Sequence, residues 1–398
     1  MPTKDELLSE FKNSLKHCLG VLESAMTDPM QFERLKELVP KLNFTGRDSD
    51  GLPGPSREEY MEPLLNAYYF ARYGLSYAFE YSVIYDAILR DIAQSDDPSE
   101  INVASFGCGS MIDAWALAYS KMKLSETTHI PTMREIGLSY RGFDGAAWEV
   151  YFAGAKSVEY DANGNSTGRP ARVNECFVTY DDSGNKVMNM PWINGFTAAG
   201  EGVDIAEVFT DPQYQSVIGD CNILFFPKIL NELSAKKLEA IISGIREMAE
   251  KGCFKKKEIY IAISHSYNAL HNGHALRCAG RMIEVLNYHN EYSISGNILE
   301  RSPLYSTNFG IRGFELSPGV NSEGEADKAY EFHKFVDDYG KHSSYIDVLD
   351  YAFGGQIKRD ITAFDADRLE DKDIPGYKRM ISRATHIAML IIKLTKVS

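Results

Sequence analysis

Four short stretches carry side chains whose types and spacing can do chemistry. In "INVASFGCGSMIDAWALAYSKM" (101–122), a β-prone apolar run passes through Gly107 and Gly109 into a helical pattern. Glycine has no Cβ, so backbone N–H groups there approach a ligand closely, and Ser110 with Asp113 makes an S-x-x-D capping signal for the helix that follows. Phe106, Gly107, Cys108, Gly109 and Ser110 thus form the strand end, glycine turn and helix start used by many nucleotide-binding folds. A dinucleotide fingerprint would need a third glycine where Ile112 stands, and there is no GK[ST] phosphate loop, so a pyrophosphate ligand loses ground. The second stretch, "YRGFDGAAW", places Asp144 and Gly145 at the tip of another strand, where a carboxylate can accept hydrogen bonds from two ribose hydroxyls. The third, "NILFFPKILNELS", sets Phe226 and Pro227 at a strand end and Asn231 on the substrate side or at a helix start. The fourth, "EIYIAISHSY", puts His265 just past a strand, with a pKa suited to a general base at neutral pH; the alternative role is a hydrogen bond in the crevice wall. His271 and His274 are spaced to face one ion on a helix, but no third ligand accompanies them, and no metal site is expected.

These groups need a scaffold that brings strand ends together. From residue 101 the chain alternates strand-like and helix-like segments, the signature of a parallel α/β sheet. Strands are predicted at 101–106, 137–143, 222–227 and 258–264. A helix in "SAKKLEAIISGIREMAEKG" should be capped by Ser234 and stopped at Gly252. Ligands of open α/β sheets sit beyond the carboxyl ends of the strands, which is where the glycine turn, Asp144, the Pro227–Asn231 stretch and Ser264–His265 all fall. The lysine run "KGCFKKKE" precedes a strand and belongs on the opposite edge. The turn signals "YDANGN" (160–165) and "YDDSGN" (180–185) predict antiparallel hairpins inserted at roughly 155–200. Upstream, residues 4–39 carry helical spacing, and "NFTGRDSDGLPGPSREEY" reads as a loop. A long helix then aligns Tyr69, Tyr73, Tyr77 and Tyr81 on one slowly drifting face. The plain role of these rings is packing against the next domain, while Arg72 and Tyr73 can reach a cofactor carboxylate if the helix covers the site. The boundary falls at "AQSDDPSE", dividing a helical region (1–97) that serves as lid or substrate wall from the main domain (98–398).

Composition narrows the partners. The 398 residues are 44% hydrophobic and 25% charged, a globular balance, and the formal charge of −14 repels polyanions and argues against nucleic acid or an anionic membrane. Six scattered cysteines without a CxxC pair read as reduced thiols, and the amino-terminal stretch lacks the apolar core of a signal peptide, so a cytoplasmic location is expected. The most apolar runs, "NILFFPKIL" and "HIAMLIIKL", are too short to span a bilayer.

The stretches "ASFGCGS", "GFD" and "DCNILFFPKILNELS" together resemble the class I S-adenosylmethionine-dependent methyltransferases, over roughly residues 100–270, and "SRATHIAMLIIKLTKV" is similar to that family's antiparallel last strand. The chain departs from the family pattern at Ser105, where an acid is common, and at Met111, where a third glycine is common. The resemblance implies a Rossmann-like, mostly parallel sheet of about seven strands with helices on both faces. It also implies S-adenosylmethionine as cofactor, held by Phe106, Gly107, Cys108, Gly109, Ser110, Asp144, Gly145, Phe226 and Pro227, with Arg72 and Tyr73 from the tyrosine helix. Asn231 and Tyr77 then fall on the substrate side and His265 is the catalytic candidate. No [DNS]PP[YF] motif follows the fourth strand, where "FPKI" stands, and no cysteine pair marks cytosine chemistry. The expected acceptor is therefore a small molecule or peptide. The alternatives are an RNA methyltransferase and a non-catalytic S-adenosylmethionine-binding protein.

Overall fold

In the computed structural model the described residues are 27–42, 55–94, 100–126, 136–146, 148, 178–180, 186–190, 193–198, 203–230, 233–265, 292–294, 312–315 and 386–396, with single positions elsewhere. The helices are α1 (Pro29–Leu42), α2 (Arg57–Tyr60), α3 (Pro63–Ala93), α4 (Ile112–Glu126), α5 (Ile205–Val208), α6 (Pro212–Gly219) and α7 (Ala235–Glu250). The strands are β1 (Glu100–Phe106), β2 (Gly137–Phe143), β3 (Val178–Tyr180), β4 (Lys186–Met190), β5 (Ile193–Ala198), β6 (Ile223–Pro227), β7 (Glu258–His265), β8 (Tyr292–Ile294), β9 (Arg312–Glu315) and β10 (His386–Lys396). The four strands expected from their apolar runs appear within a residue of their predicted bounds.

The sheet order is β3-β4-β5-β2-β1-β6-β7-β10-β8, with β9 also paired to β10. Its centre is five parallel strands, β5, β2, β1, β6 and β7. β10 closes onto β7 antiparallel from Ala388 to Thr395. The result is a mostly parallel, Rossmann-like α/β fold with a helical region at its amino-terminal side. Two expectations change. The sheet has ten strands among the described residues rather than about seven, and the antiparallel hairpin expected around "DDSGN" forms as β3 and β4 but is part of that sheet. It continues into β5, which pairs parallel with β2 and satisfies backbone groups on that edge that would otherwise stay open. The "YDANGN" turn lies outside the described residues.

Two apolar layers cover the sheet. Along β1, Ile101 and Val103 point into one core and Ala104 and Phe106 into the other, and β6 repeats the alternation with Ile223 and Phe225 against Leu224 and Phe226. Strands buried on both faces must be apolar throughout, which is why these runs lack a polar alternation. One face is covered by α3 and α4, the other by α5, α6 and α7. The firmest sequence prediction is met by α7. Ser234 accepts a hydrogen bond from the Lys237 amide, Leu238, Ile241, Ile242, Ile245 and Met248 are buried, and Gly252 ends the helix region at φ 62°. Each such side chain stabilises by about 1.5–3 kcal/mol relative to exposure.

The tyrosine helix is bound into the first core rather than laid over it. Tyr81 and Tyr85 meet Phe225 edge-on at 5.3 and 5.2 Å, and Asp91 near the helix end accepts a hydrogen bond from Tyr260 (2.7 Å) and pairs with Lys393 (2.7 Å). The helical region and the sheet therefore share one apolar cluster across the boundary expected near residue 97. Among the described residues no helix is long and apolar enough to cross a membrane.

Candidate functional site

The chain order of the parallel strands reverses at the centre of the sheet. From β1 the chain passes to β2 on one side, and after β5 it crosses to β6 on the other side of β1. The crevice at the carboxyl ends of β1 and β6 is thus a topological switch point, where open α/β sheets bind ligands. Gly107–Ser110 follow β1 and Lys228–Leu230 follow β6. These loops touch: a Cβ on Gly107, whose φ is 77°, would stand 2.7 Å from Ile229, so glycine is required there both by conformation and by space.

Asp144, at the tip of β2, ties the glycine turn together. Its Oδ2 accepts from the Gly109 amide at 2.8 Å, and its Oδ1 accepts from the Ala146 amide at 2.9 Å and the Trp148 indole N–H at 3.0 Å. The Gly145 amide also bears on this carboxylate, so its oxygens are held mainly by the turn itself. Burial raises the Asp144 carboxyl above its ordinary value, and the amide and indole donors pull it back. Gly145 beside it is exposed.

The turn differs from its sequence reading in two ways. Its amides do not all face outward: Gly107 and Cys108 both donate to the Phe143 carbonyl (2.7 and 3.2 Å), and Met111 donates to Cys108 (2.8 Å). The capping box does not form either. α4 begins at Ile112, Met111 takes a left-handed φ of 59°, and the Ser110 hydroxyl is buried without a partner. Asp113, the other half of that signal, turns into the core against Tyr140 (2.9 Å to each oxygen). The S-x-x-D pattern marked the helix start correctly but misread its chemistry, because a carboxylate near two buried tyrosine hydroxyls has a better partner than the Ser110 backbone.

Around the turn, aromatic rings form a continuous run. Trp148 lies over Gly109, its ring atoms 3.7 Å from where a Cβ would stand, and it packs on Tyr60 and Tyr69 at 4.8 Å each. Tyr69, Tyr73 and Tyr77 follow at 4.8 and 4.9 Å along α3. At the far end the Lys228 ammonium sits 4.4 Å from the Tyr77 ring centroid, carried there by a left-handed backbone of φ 56°. Trp148 and Lys228 were not singled out in the sequence. The aromatic residue four positions past the strand-tip acid was the available signal for the first, whereas Lys228 needed the fold.

The other expected site residues divide clearly. Cys108 is buried, and burial, with the charges of Asp144 and Asp113, pushes its thiol well up, so it acts as packing rather than as a nucleophile. The Phe106 and Phe226 side chains stack in the second core with Phe143 and Phe209 and can reach a ligand only through backbone. Pro227 is the buried end of β6, in register with Ser264, whose hydroxyl is also buried and unpartnered. His265 ends β7 opposite Ala388, but its side chain, like that of Arg72, is outside the described ones, and Asn231, His271 and His274 lie outside the described residues. The lysine run sits where expected, on the amino-terminal edge, with Lys256 reaching Glu100 at 3.3 Å and Lys255 reaching Asp220 at 3.0 Å.

No family model matches the chain, and no curated protein does. Among solved structures it is similar to the plantazolicin methyltransferase BamL in complex with a triazolic desmethylPZN analog and SAH, at 9% identity over 96% of this chain and 97% of that one, with a TM-score of 0.27. An overlap that loose carries no argument here.

Proposed function

We propose that the chain binds S-adenosylmethionine at the β1/β6 switch point and transfers its methyl group to a small molecule or peptide. The observation that carries this reading is the joining of the glycine turn to the strand-tip acid at that point, through the Gly109 amide and Asp144 Oδ2 at 2.8 Å. The residues fit such a cofactor. Asp144 stands at the tip of β2 beside the glycine turn, where a carboxylate can share its acceptors with a ribose hydroxyl, and the buried, unpartnered hydroxyls of Ser110 and Ser264 lie at the ends of the strands that flank the crevice.

When bound, the cofactor supplies both the methyl group and its leaving group. The protein's part is placement. Asp144 and the turn hold the ribose end, the half-buried Tyr73 and Tyr77 rings form the acceptor wall, and Lys228 closes it at the β6 tip. Excluding water and aligning the acceptor in line with the methyl group supplies most of the rate enhancement such a reaction needs. His265, at the end of β7, is the proposed base for an acceptor that must lose a proton.

Titration calorimetry with S-adenosylmethionine, S-adenosylhomocysteine and NAD tests the cofactor, and transfer of labelled methyl to fractionated cell extract tests turnover. Binding of NAD with neither sulfur ligand would overturn the reading. A second reading, cofactor binding without turnover, is favoured by Trp148 lying over Gly109. It predicts binding with no labelled product in any fraction.

A further inference from the structure

One buried carboxylate is not used by this scheme. Asp113, in the first turn of α4, is fully buried directly beneath the glycine turn. Tyr140 of β2 lies 2.9 Å from both of its oxygens, and Tyr85 of α3 donates to Oδ2 at 3.4 Å. Cys108 of the turn is near enough for its thiol to feel the charge. No cation pairs with Asp113 among the described residues. The amides of the first turn of α4 offset part of the charge and neutral hydroxyls satisfy the oxygens, but neither supplies a full positive charge, so the site keeps a negative potential that a hydrophobic residue of similar volume would avoid. The same turn holds the buried, unpartnered Ser110 hydroxyl, and Met111 is kept there in a left-handed conformation that a non-glycine residue rarely adopts. A buried charge without an ion-pair partner among the described residues, an orphan hydroxyl and a left-handed residue coincide within four residues of sequence.

We propose that Asp113 is a specificity-determining residue whose buried charge, without an ion-pair partner among the described residues, makes the turn select a cationic ligand, the sulfonium form of the cofactor, over the neutral thioether product. This rests on the cofactor reading above. The two ligands share every hydrogen-bonding group and differ by a methyl and one positive charge, so a charge held a few ångströms beneath the turn tells them apart. At an effective dielectric of about 20, a charge within about 10 Å of the sulfonium favours the cation by roughly tenfold or more. The consequence for turnover is release of the product once the charge is gone.

The sign of the pH dependence follows. Burial raises the Asp113 carboxyl to about 6, while hydrogen bonds from Tyr140 and from the amides of the first turn of α4 hold it down. The titratable groups facing it are Tyr85, Tyr140 and Cys108, all pushed up by burial and therefore neutral between pH 5 and 8. A bound cation favours the ionised carboxylate and so releases a proton near pH 6; by reciprocity, affinity for the cation rises as pH rises through about 6 and levels off above. Affinity for the neutral product stays flat. Because the folded-state value lies above the unfolded one, the contribution of Asp113 to stability is present below about pH 4 and lost as pH rises through about 6.

The test is calorimetry of S-adenosylmethionine and S-adenosylhomocysteine with the full chain and with Asp113→Asn, at pH 5.5 and 7.5. The expected result is a preference for the sulfonium that grows with pH in the unsubstituted protein. In Asp113→Asn the preference falls about tenfold and loses its pH dependence, while the protein is more stable at neutral pH. Equal weakening of both ligands in Asp113→Asn, or a flat pH dependence of the ratio without any substitution, overturns the proposal and leaves the cofactor reading standing. Binding of neither ligand overturns both.

Discussion

At the residue scale, Asp144 does more than its sequence position promised. It was expected to bind ribose, and it also fastens Gly109, Ala146 and Trp148. Asp144→Ala therefore unties the turn and, under the proposed function, also removes a ligand contact. The expected loss of S-adenosylmethionine affinity is at least the 1.5–3 kcal/mol of a hydrogen bond to a charged group, about tenfold to a hundredfold in Kd by calorimetry. Unchanged affinity would remove Asp144 from the site. For His265 the expectation separates chemistry from binding: His265→Ala lowers turnover about 10²-fold or more and leaves cofactor affinity within twofold. Equal rates in both proteins across neutral pH would reduce His265 to part of the wall.

At the element scale, α3 is the component whose placement matters most. Its first half carries the half-buried tyrosine run and its second half is anchored in the core through Tyr81 and Tyr85 on Phe225 and through Asp91 at the far end. Phe225 is fully buried in the parallel strand β6, so Phe225→Ala both leaves a cavity and removes two edge-on ring contacts. The expected cost is about 3–5 kcal/mol in denaturant unfolding. A cost under about 1 kcal/mol would show that α3 is held by other contacts. Helix α7 was legible because its cap, apolar stripe and glycine stop are all local. The hairpin at "DDSGN" was legible as a hairpin for the same reason, but its merger into the sheet through β5 was not, because pairing with β2 joins residues more than 50 positions apart.

At the scale of the whole molecule, charge sets the expected behaviour toward partners. The formal charge is −14, and the lysines of the one dense run are partly engaged with Asp220 and Glu100 on the edge away from the switch point. An enzyme that neutralises several phosphates loses affinity by orders of magnitude between about 50 and 200 mM salt, and a small acceptor does not. Transfer of labelled methyl to cell extract is therefore expected to survive nuclease treatment and to change less than about threefold over that range. Nuclease-sensitive transfer that collapses at the higher salt would put RNA in place of the small molecule or peptide.

What the sequence determined by itself was whatever depends on neighbours along the chain: strands from continuous apolar runs, helix starts and stops from caps and glycines, and the glycine turn from Gly107 and Gly109. The pairing of that turn with the acid of the next strand was also within reach, because both fall at strand ends and parallel strands place those ends on one edge. The tertiary structure decided the rest. It sent Asp113 inward to Tyr140 and Tyr85 instead of to a cap, set Trp148 over Gly109, and brought Lys228 onto Tyr77. Each of those contacts joins elements distant in sequence, and a side chain's preference between a local partner and a buried distant one is settled only when the distant one arrives.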